Sequence, residues 1–455
     1  MRGRTFSFAY LLALLASLVV AAQPAAAQSL LRDAETEQLL KDMLAPLVEA
    51  SELHSNNVEV VLVNDPSINA FVAGGQVIYV HTGLIEAAET ANEVQGVLAH
   101  ELGHITAGHA VRGDERVKVA TGISLLSLLL GVGAALAGAG EAGMGVIAAG
   151  QQAATGSYLS YNRDQEAATD LAGVRYLSGA GISGKGMIAF FEKLRGNEIR
   201  SGYSQSDEAA YARTHPLTGD RIQVLRGLVD KDAAWNAAPD ADLQTRFMRA
   251  KAKLSGFLAE PQRTLTAFPL KDQSIPAHYA RAYAYHKDAR VDLAIAETDA
   301  LLAAEPDNPW FLELQGQVLL ESGRAKEALT PLRRATELTR AHPLIAGLLG
   351  HALIATEDPT NFAEAEDVLR ASVQKDRYNP FAWYQLGVVY EARGDMPRAR
   401  LASAEQQVMN RLYPQALQNA QFAEAGLPYG SPDWIRAQDV ALEARAELER
   451  MKKKR

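Results

Sequence analysis

Cysteine is absent from all 455 residues. Disulfides, thiol nucleophiles and a lipidated N-terminal cysteine are thereby excluded. An excess of positive charge is missing too: 45 Lys and Arg stand against 54 Asp and Glu, for a formal net charge of −9. Nucleic acid and anionic lipid are recognised through a basic face, so neither is expected as a main partner. The closing Lys452-Lys453-Lys454-Arg455 is a local basic tail and reads as solvated. Charge of either sign is missing from two long stretches. In the first, Arg2 and Arg4 introduce the apolar run Phe6–Ala22, followed by Pro24 and Ala25-Ala26-Ala27. This is the pattern of a secretory signal peptide, residues 1–27, cut before Gln28. An uncleaved anchor helix is the alternative, although the run is near the lower length limit for spanning. Export of a chain without cysteine suits a bacterial periplasm, where oxidation is available but not required.

What is present begins with His100-Glu101-Leu102-Gly103-His104. The surrounding Glu93–Val111 reads as a helix, with Val94, Val97, Leu98, Leu102 and Ile105 as its apolar stripe. Residues four apart on a helix sit about 40° apart in projection. Both imidazoles can therefore grip one Zn²⁺, with Glu101 beside them as base for a water that the metal acidifies. Two histidines flanking a glutamate also arise by chance, so a third ligand decides. One scheme needs a Gly and a third His at positions that are Ala107 and Ala110 here. His109 misses by one, lying about 140° around the helix from His104. The other scheme takes a Glu from a separate helix, and Tyr161–Leu177 supplies Glu166, with Asp170 one turn later on the same face. Asp170 is expected to accept the outer N–H of a zinc-bound His and fix its tautomer. A solvated acidic helix start is the plain alternative for these carboxylates.

HELGH, then Arg163-Asp164-Gln165-Glu166-Ala167-Ala168-Thr169-Asp170, then Thr214-His215-Pro216 resemble the gluzincin peptidases of the HtpX and CAAX-prenyl-endopeptidase superfamily. Asn69–Val80 and Thr82-Gly83-Leu84 match that pattern upstream, so the resemblance covers roughly residues 30–230. It implies that His100, His104 and Glu166 bind zinc and that Glu101 is the catalytic base. Thr169 departs from the Ala of many members. The resemblance also implies that a sheet edge, from Val58–Val63 and Ala70–Val80, runs along the cleft. An extended substrate would add a strand there. Gly74-Gly75 is read as a two-residue hairpin turn. His215 precedes Pro216, so it is expected in an extended loop. Two roles stand open for it: stabilising the oxyanion, or capping the zinc as a resting fourth ligand. A surface histidine is the bland reading.

The second uncharged stretch, Val119–Gly140, runs for 22 residues and is long enough to cross a bilayer. It separates the two histidines from Glu166, which must meet at one metal, so a single crossing is excluded. Residues 119–155 are read as a buried or membrane-touching hairpin beside the cleft.

Past Leu228–Asp242 the pattern loosens and then repeats. Pro309, Pro343, Pro380 and Pro414 step by 34, 37 and 34 residues; Gly316, Gly350 and Gly387 step by 34 and 37. Each 37-residue step crosses Glu357-Asp358-Pro359-Thr360-Asn361, which marks a three-residue insertion. A 34-residue period of helix–turn–helix resembles tetratricopeptide repeats, with Trp383–Gly387 and Tyr390 as the clearest copy. Such arrays curve into a binding surface; a stabilising appendage is the alternative. Trp434–Lys454 reads as a capping helix.

The expected fold is mainly α: an α+β zincin (gluzincin) protease domain with a small sheet over 28–235, then an all-α repeat solenoid over 245–455. With the signal peptide, this arrangement resembles periplasmic BepA-like proteases. That resemblance implies unfolded or misassembled outer-membrane β-barrel proteins as substrates, and the barrel assembly machinery or its clients as partners of the repeats. A chaperone or scaffold with latent protease activity is the second reading.

Overall fold

The computed structural model describes residues 29–51, 53, 57–108, 140–201, 215 and 219–453. The expected signal peptide, His109 and residues 119–139 lie outside them. The described chain is mainly helical with one small sheet, followed by a helical repeat array.

The sheet has four strands, β1 (Ser29–Leu30), β2 (Glu59–Asn64), β3 (Ala70–Ala73) and β4 (Val77–His81), in the order β1-β2-β4-β3. Strand β2 runs parallel to β4, while β3 returns antiparallel to it from Ala73 paired with Val77. The expected two-residue turn is therefore a three-residue one, Gly74–Gln76, with both glycines at positive φ. Strand alternation along β2 turns Val60 and Leu62 into the core shared with the helices.

Among the described residues eight helices accompany the sheet: α1 (Ala34–Ala50), α2 (Thr82–Ala87), α3 (Ala91–Thr106), α4 (Gly140–Gly179), α5 (Lys185–Ser201), α6 (Gly219–Val229), α7 (Ala241–Leu258) and α8 (Pro261–Ala267). Helix α3 starts at Thr90, whose hydroxyl accepts from the Glu93 N–H while Glu93 accepts from the Glu89 N–H, a variant of the reciprocal capping arrangement. It stops at Thr106, short of the expected Val111, because Gly108 turns left-handed (φ 66°) and bonds back to the Ile105 carbonyl. Almost every residue of α3 is buried, between the sheet, α1, α4 and α5. The crossing with α4 is tight at Gly103. A Cβ there would lie 2.9 Å from both the backbone oxygen and the Cγ2 of Thr169. Of residues 119–155 the structure describes the backbone from Gly140 onward, as the first part of α4. No helix among the described residues is long and apolar enough to cross a membrane.

The array follows as helix pairs: α9 (Ile275–Lys287) with α10 (Val291–Ala304), α11 (Pro309–Glu321) with α12 (Ala325–Leu338), α13 (Pro343–Ala355) with α14 (Phe362–Lys375), α15 (Pro380–Ala392) with α16 (Met396–Met409), and α17 (Tyr413–Gly426) with α18 (Pro432–Lys453). Proline sits in the first turn of each opening helix, where its missing N–H costs nothing. The inserted residues form a 3₁₀ turn, Pro359–Asn361, capped by Asp358.

The expected division between 235 and 245 runs into the start of α7, which serves both halves. Leu243, Phe247, Ala250 and Leu254 belong to the first core, while α7 also packs against α9. Arg249 and Lys253 on α7 meet the start of α1: Arg249 Nε donates to Glu35 Oε1 at 2.6 Å and Lys253 pairs with Asp33. Tyr279 of α9 donates to the other Glu35 oxygen at 2.8 Å. Ala34 packs with Leu312, Ala335 and Ile345 of the array, and Arg32 bonds Asp376 at 2.9 Å. Burial alone would neutralise Lys253, but Asp33 holds its pKa well above the usual value.

Gly103→Ala is expected to cost about 1–3 kcal/mol in denaturant unfolding, because the added methyl meets the backbone of Thr169 as well as its side chain. It should also lower metal retention on dialysis, since α4 must back away with Glu166. Unchanged stability and metal content would show that the crossing has slack.

Candidate metal centre

Three segments far apart in sequence converge on one point. Helix α3 contributes His100, Glu101 and His104, α4 contributes Glu166 and Asp170, and the chain before α6 contributes His215. His100 and Glu101 are fully buried, and Glu166, His104 and His215 nearly so. The i, i+4 spacing stacks His100 over His104, with their Nε2 atoms 3.2 Å apart. Glu166 lies across from both, Oε2 at 3.4 Å from His100 Nε2 and Oε1 at 3.4 Å from His104 Nε2. His215 closes the cluster, its Nδ1 at 3.0 and 3.2 Å from the two Glu166 oxygens. One ligand atom from each of these four residues lies within 4.8 Å of all the others. Three imidazoles and a carboxylate are the donor types that zinc and similar ions take. The donor set fits a metal cofactor.

A surrounding shell holds those ligands in place. Asp170 Oδ1 lies 2.9 Å from His100 Nδ1, which assigns that nitrogen the proton and leaves Nε2 facing the cluster. Burial opposes a charge on His100, yet Asp170 and Glu166 outweigh it and lift its pKa to about 9. Burial, together with the neighbouring His100 and His215, instead drops His104 to about 3, despite Glu166. Glu166 is held far below the carboxylate range, the histidines overcoming its desolvation. The sequence reading missed Arg221, from the first turn of α6. Its Nε and Nη2 bind Asp170 at 2.6 and 2.9 Å, and its Nη1 reaches Glu166 Oε2 at 3.0 Å. One guanidinium thus ties the carboxylate behind His100 to the carboxylate in the cluster. Phe191 of α5 stands edge-on to His100 at 5.6 Å between ring centroids, with the Arg221 guanidinium 5.7 Å from its ring. The signal available for Arg221 was chemical: two buried acids, Glu166 and Asp170, require a cation.

Glu101 is bound differently. Neither of its buried oxygens has a hydrogen-bond partner among the described residues, and burial raises its pKa from the usual glutamate value. His215 Nε2 is the near group, 3.5 Å from Glu101 Oε1. A desolvated carboxylate without a donor is a costly arrangement in a structural core. It is what a proton acceptor beside a metal requires. Among the described residues strand β3 is the outer strand of the sheet and packs on α3, so its outer edge is next to the helix bearing these ligands.

Residues 31–229 match the profile of Peptidase family M48. The chain is 25% identical over 389 residues to the beta-barrel assembly-enhancing protease of Escherichia coli (strain K12), covering 83% of this chain and 77% of that one. It is 30% identical over 181 residues to the metalloprotease LoiP of the same organism, covering 39% and 64% of the two chains. Among solved structures, the tetratricopeptide-repeat protein YrrB overlays with a TM-score of 0.32 at 22% identity, over 38% of this chain and 91% of its own.

Arg221→Gln is expected to weaken metal affinity by about 10–100-fold in a chelator competition, with helix content unchanged. Parental affinity would remove the positioning role of the guanidinium.

Proposed function

Since residues 31–229 of this metalloprotease match peptidase family M48, we propose that it is a zinc endopeptidase of the bacterial periplasm acting on misassembled or stalled outer-membrane β-barrel proteins. The observation that carries the chemistry is the convergence of His100, His104 and Glu166 on one point, with Glu101 alongside holding no hydrogen bond among the described residues. His100, His104 and Glu166 hold the ion, and Asp170 and Arg221 hold His100 and Glu166. Bound zinc supplies a Lewis acid for the scissile carbonyl and acidifies water. Glu101 takes a proton from the attacking water as its oxygen bonds to the carbonyl carbon. It then delivers that proton to the leaving nitrogen as the C–N bond breaks. The raised pKa of Glu101 suits a group that must both accept and return a proton.

His215 bears on the same atoms and has one of two jobs, donor to the oxyanion or resting cap on the ion. Its replacement by Ala separates them by sign: activity falls in the first and rises in the second. The client class is supported by the likeness to the Escherichia coli beta-barrel assembly-enhancing protease, and the compartment by the Arg2–Ala27 pattern. The outer edge of β3 suits an extended, unpaired client segment, which would pair through main-chain hydrogen bonds. The repeats are the docking element for the assembly machinery or its clients. The domain division is proposed as 28–235 for the protease and 245–455 for the repeats, with α7 as the shared hinge of their packing.

The near-complete burial of the metal group among the described residues favours a second reading, in which a chaperone or scaffold role dominates and proteolysis is latent. Glu101→Gln tests both. Cleavage of an unfolded barrel protein should fall by about 10²–10⁴-fold while metal content stays at the parental level. Undiminished cleavage would overturn the assignment of Glu101, and full rescue of envelope defects by the inactive variant would favour the scaffold.

A further inference from the structure

The seam between the enzyme half and the array holds more acid than base. The start of α1 brings Asp33 and Glu35 to it, and α7 brings Arg249 and Lys253. These four are paired: Arg249 with Glu35 at 2.6 Å, Lys253 with Asp33, and Lys253 again with Glu35 at 3.6 Å. Tyr279 of α9 donates to Glu35 as well. Glu305, more exposed, lies 3.7 Å from Arg249 and adds to the acid side. A further acid, Glu313 of α11, comes to the same place from the array. Its Oε2 is sealed from solvent and has no hydrogen-bond partner among the described residues. Lys253 is the cation that acts on it, and Asp33 and Glu35 already hold that cation. Asp33, Glu35 and Glu313 thus share two sheltered cations, and the sum is neutral only while Glu313 keeps a proton.

The other elements around α11 do not supply the missing charge. Burial keeps Tyr279 and Tyr283 of α9 neutral. On α10, Asp299 accepts from Gln315 and Glu297 is taken by Arg281. On α12, Arg334 is taken by Asp307 and Glu337. His342, just ahead of α13, also has a sealed Nδ1 without a partner, and burial holds it below the usual histidine value. A carboxylate stripped of water and given no donor is costly in its charged form. Burial first, then Asp33 and Glu35, push Glu313 up to about 7 against the pull of Lys253.

We propose that Glu313 is a proton-operated latch on this seam: with its proton on, the array closes on the start of α1, and with the proton lost the seam opens more readily. The latch is separate from the metal centre and independent of the client class. Its sign follows from linkage. An acid held up when the seam is closed, and at its ordinary value when open, takes up a proton on closing at any pH between the two. The closed form is therefore favoured without penalty below the ordinary glutamate range, and loses that advantage as the pH climbs to about 7. His342, lowered by burial, works in the opposite sense.

Cysteine is absent from the chain, so Ala34→Cys provides a single thiol, buried at the seam against Leu312, Ala335 and Ile345. The rate at which the full-length chain reacts with N-ethylmaleimide then reports how often the seam opens. It is compared at each pH between the chain with Glu313 and the chain with Glu313→Gln, which cancels the titration of the thiol and of His342. The ratio of the two rates is expected to climb about tenfold or more between about pH 5.5 and 8, with most of the rise below about 7. Glu313→Leu, which likewise carries no proton to lose, should give the same curve as Glu313→Gln. A ratio that stays level or falls across this range would overturn the proposal. So would a Glu313→Leu chain that keeps the parental dependence on pH.

Discussion

The crossing of α3 and α4 is the constraint on which the rest of this molecule depends. Metal ligands on two helices are useful only if the helices come close enough for side-chain atoms to share one ion. Gly103 lets the backbone of α4 approach to where a methyl group would clash with Thr169. Glu166, one turn before that contact, and Asp170, the residue after it, then face His100 and His104 without reaching. The departure at Thr169 from the commoner Ala falls at this same contact, and its methyl is part of the spacer that sets the distance. Everything outward is arranged to hold the crossing: α5 backs α3, the sheet covers its other side, and α1 closes the core.

Electrostatics then divides labour among acids that look alike in the sequence. Glu166 and Asp170 are ionised because histidines and Arg221 surround them. Glu101, three or four ångströms away from some of the same groups, keeps no hydrogen bond and is pushed toward protonation. Burial is common to all three; the difference is partners. A cluster in which one carboxylate is fixed as an anion and its neighbour is free to exchange a proton has the two components that metal-assisted hydrolysis needs.

Much of this was readable from the chain because it is local or periodic. His100 and His104 face one way for any helix, and the 34-residue step of Pro and Gly survives because each repeat meets the same neighbour. A Cβ on Gly316 would lie 2.4 Å from Leu332 Cγ, and one on Gly350 equally near Leu369 Cγ. The three-residue excess near Pro359 was visible for the same reason. What escaped depends on contacts between distant segments. Arg221 belongs to no spacing pattern, and only the assembled acids reveal the need for it. The parallel pairing of β2 with β4 is a choice of neighbour that neither strand encodes alone. The end of α3 at Thr106 was overrun because the reading carried the helix on to Val111, past Gly108, whose left-handed turn ends it. The two-residue reading of the glycine turn failed on a single residue, since Gln76 falls outside the ladder.

The start of α1, held by Arg249 and Lys253 of α7 and by Tyr279 of the array, changes what kind of object this protein is. Repeat arrays are commonly thought of as interchangeable handles, lengthened or swapped without consequence for the enzyme they accompany. Here the handle is welded on. Severing the chain near residue 240 would strip the enzyme half of Leu243, Phe247 and Leu254 and leave the array with an uncovered apolar helix. Each half would lose the countercharges that make its buried ions tolerable. The two halves share one buried, charged seam, so neither keeps its ions paired without the other.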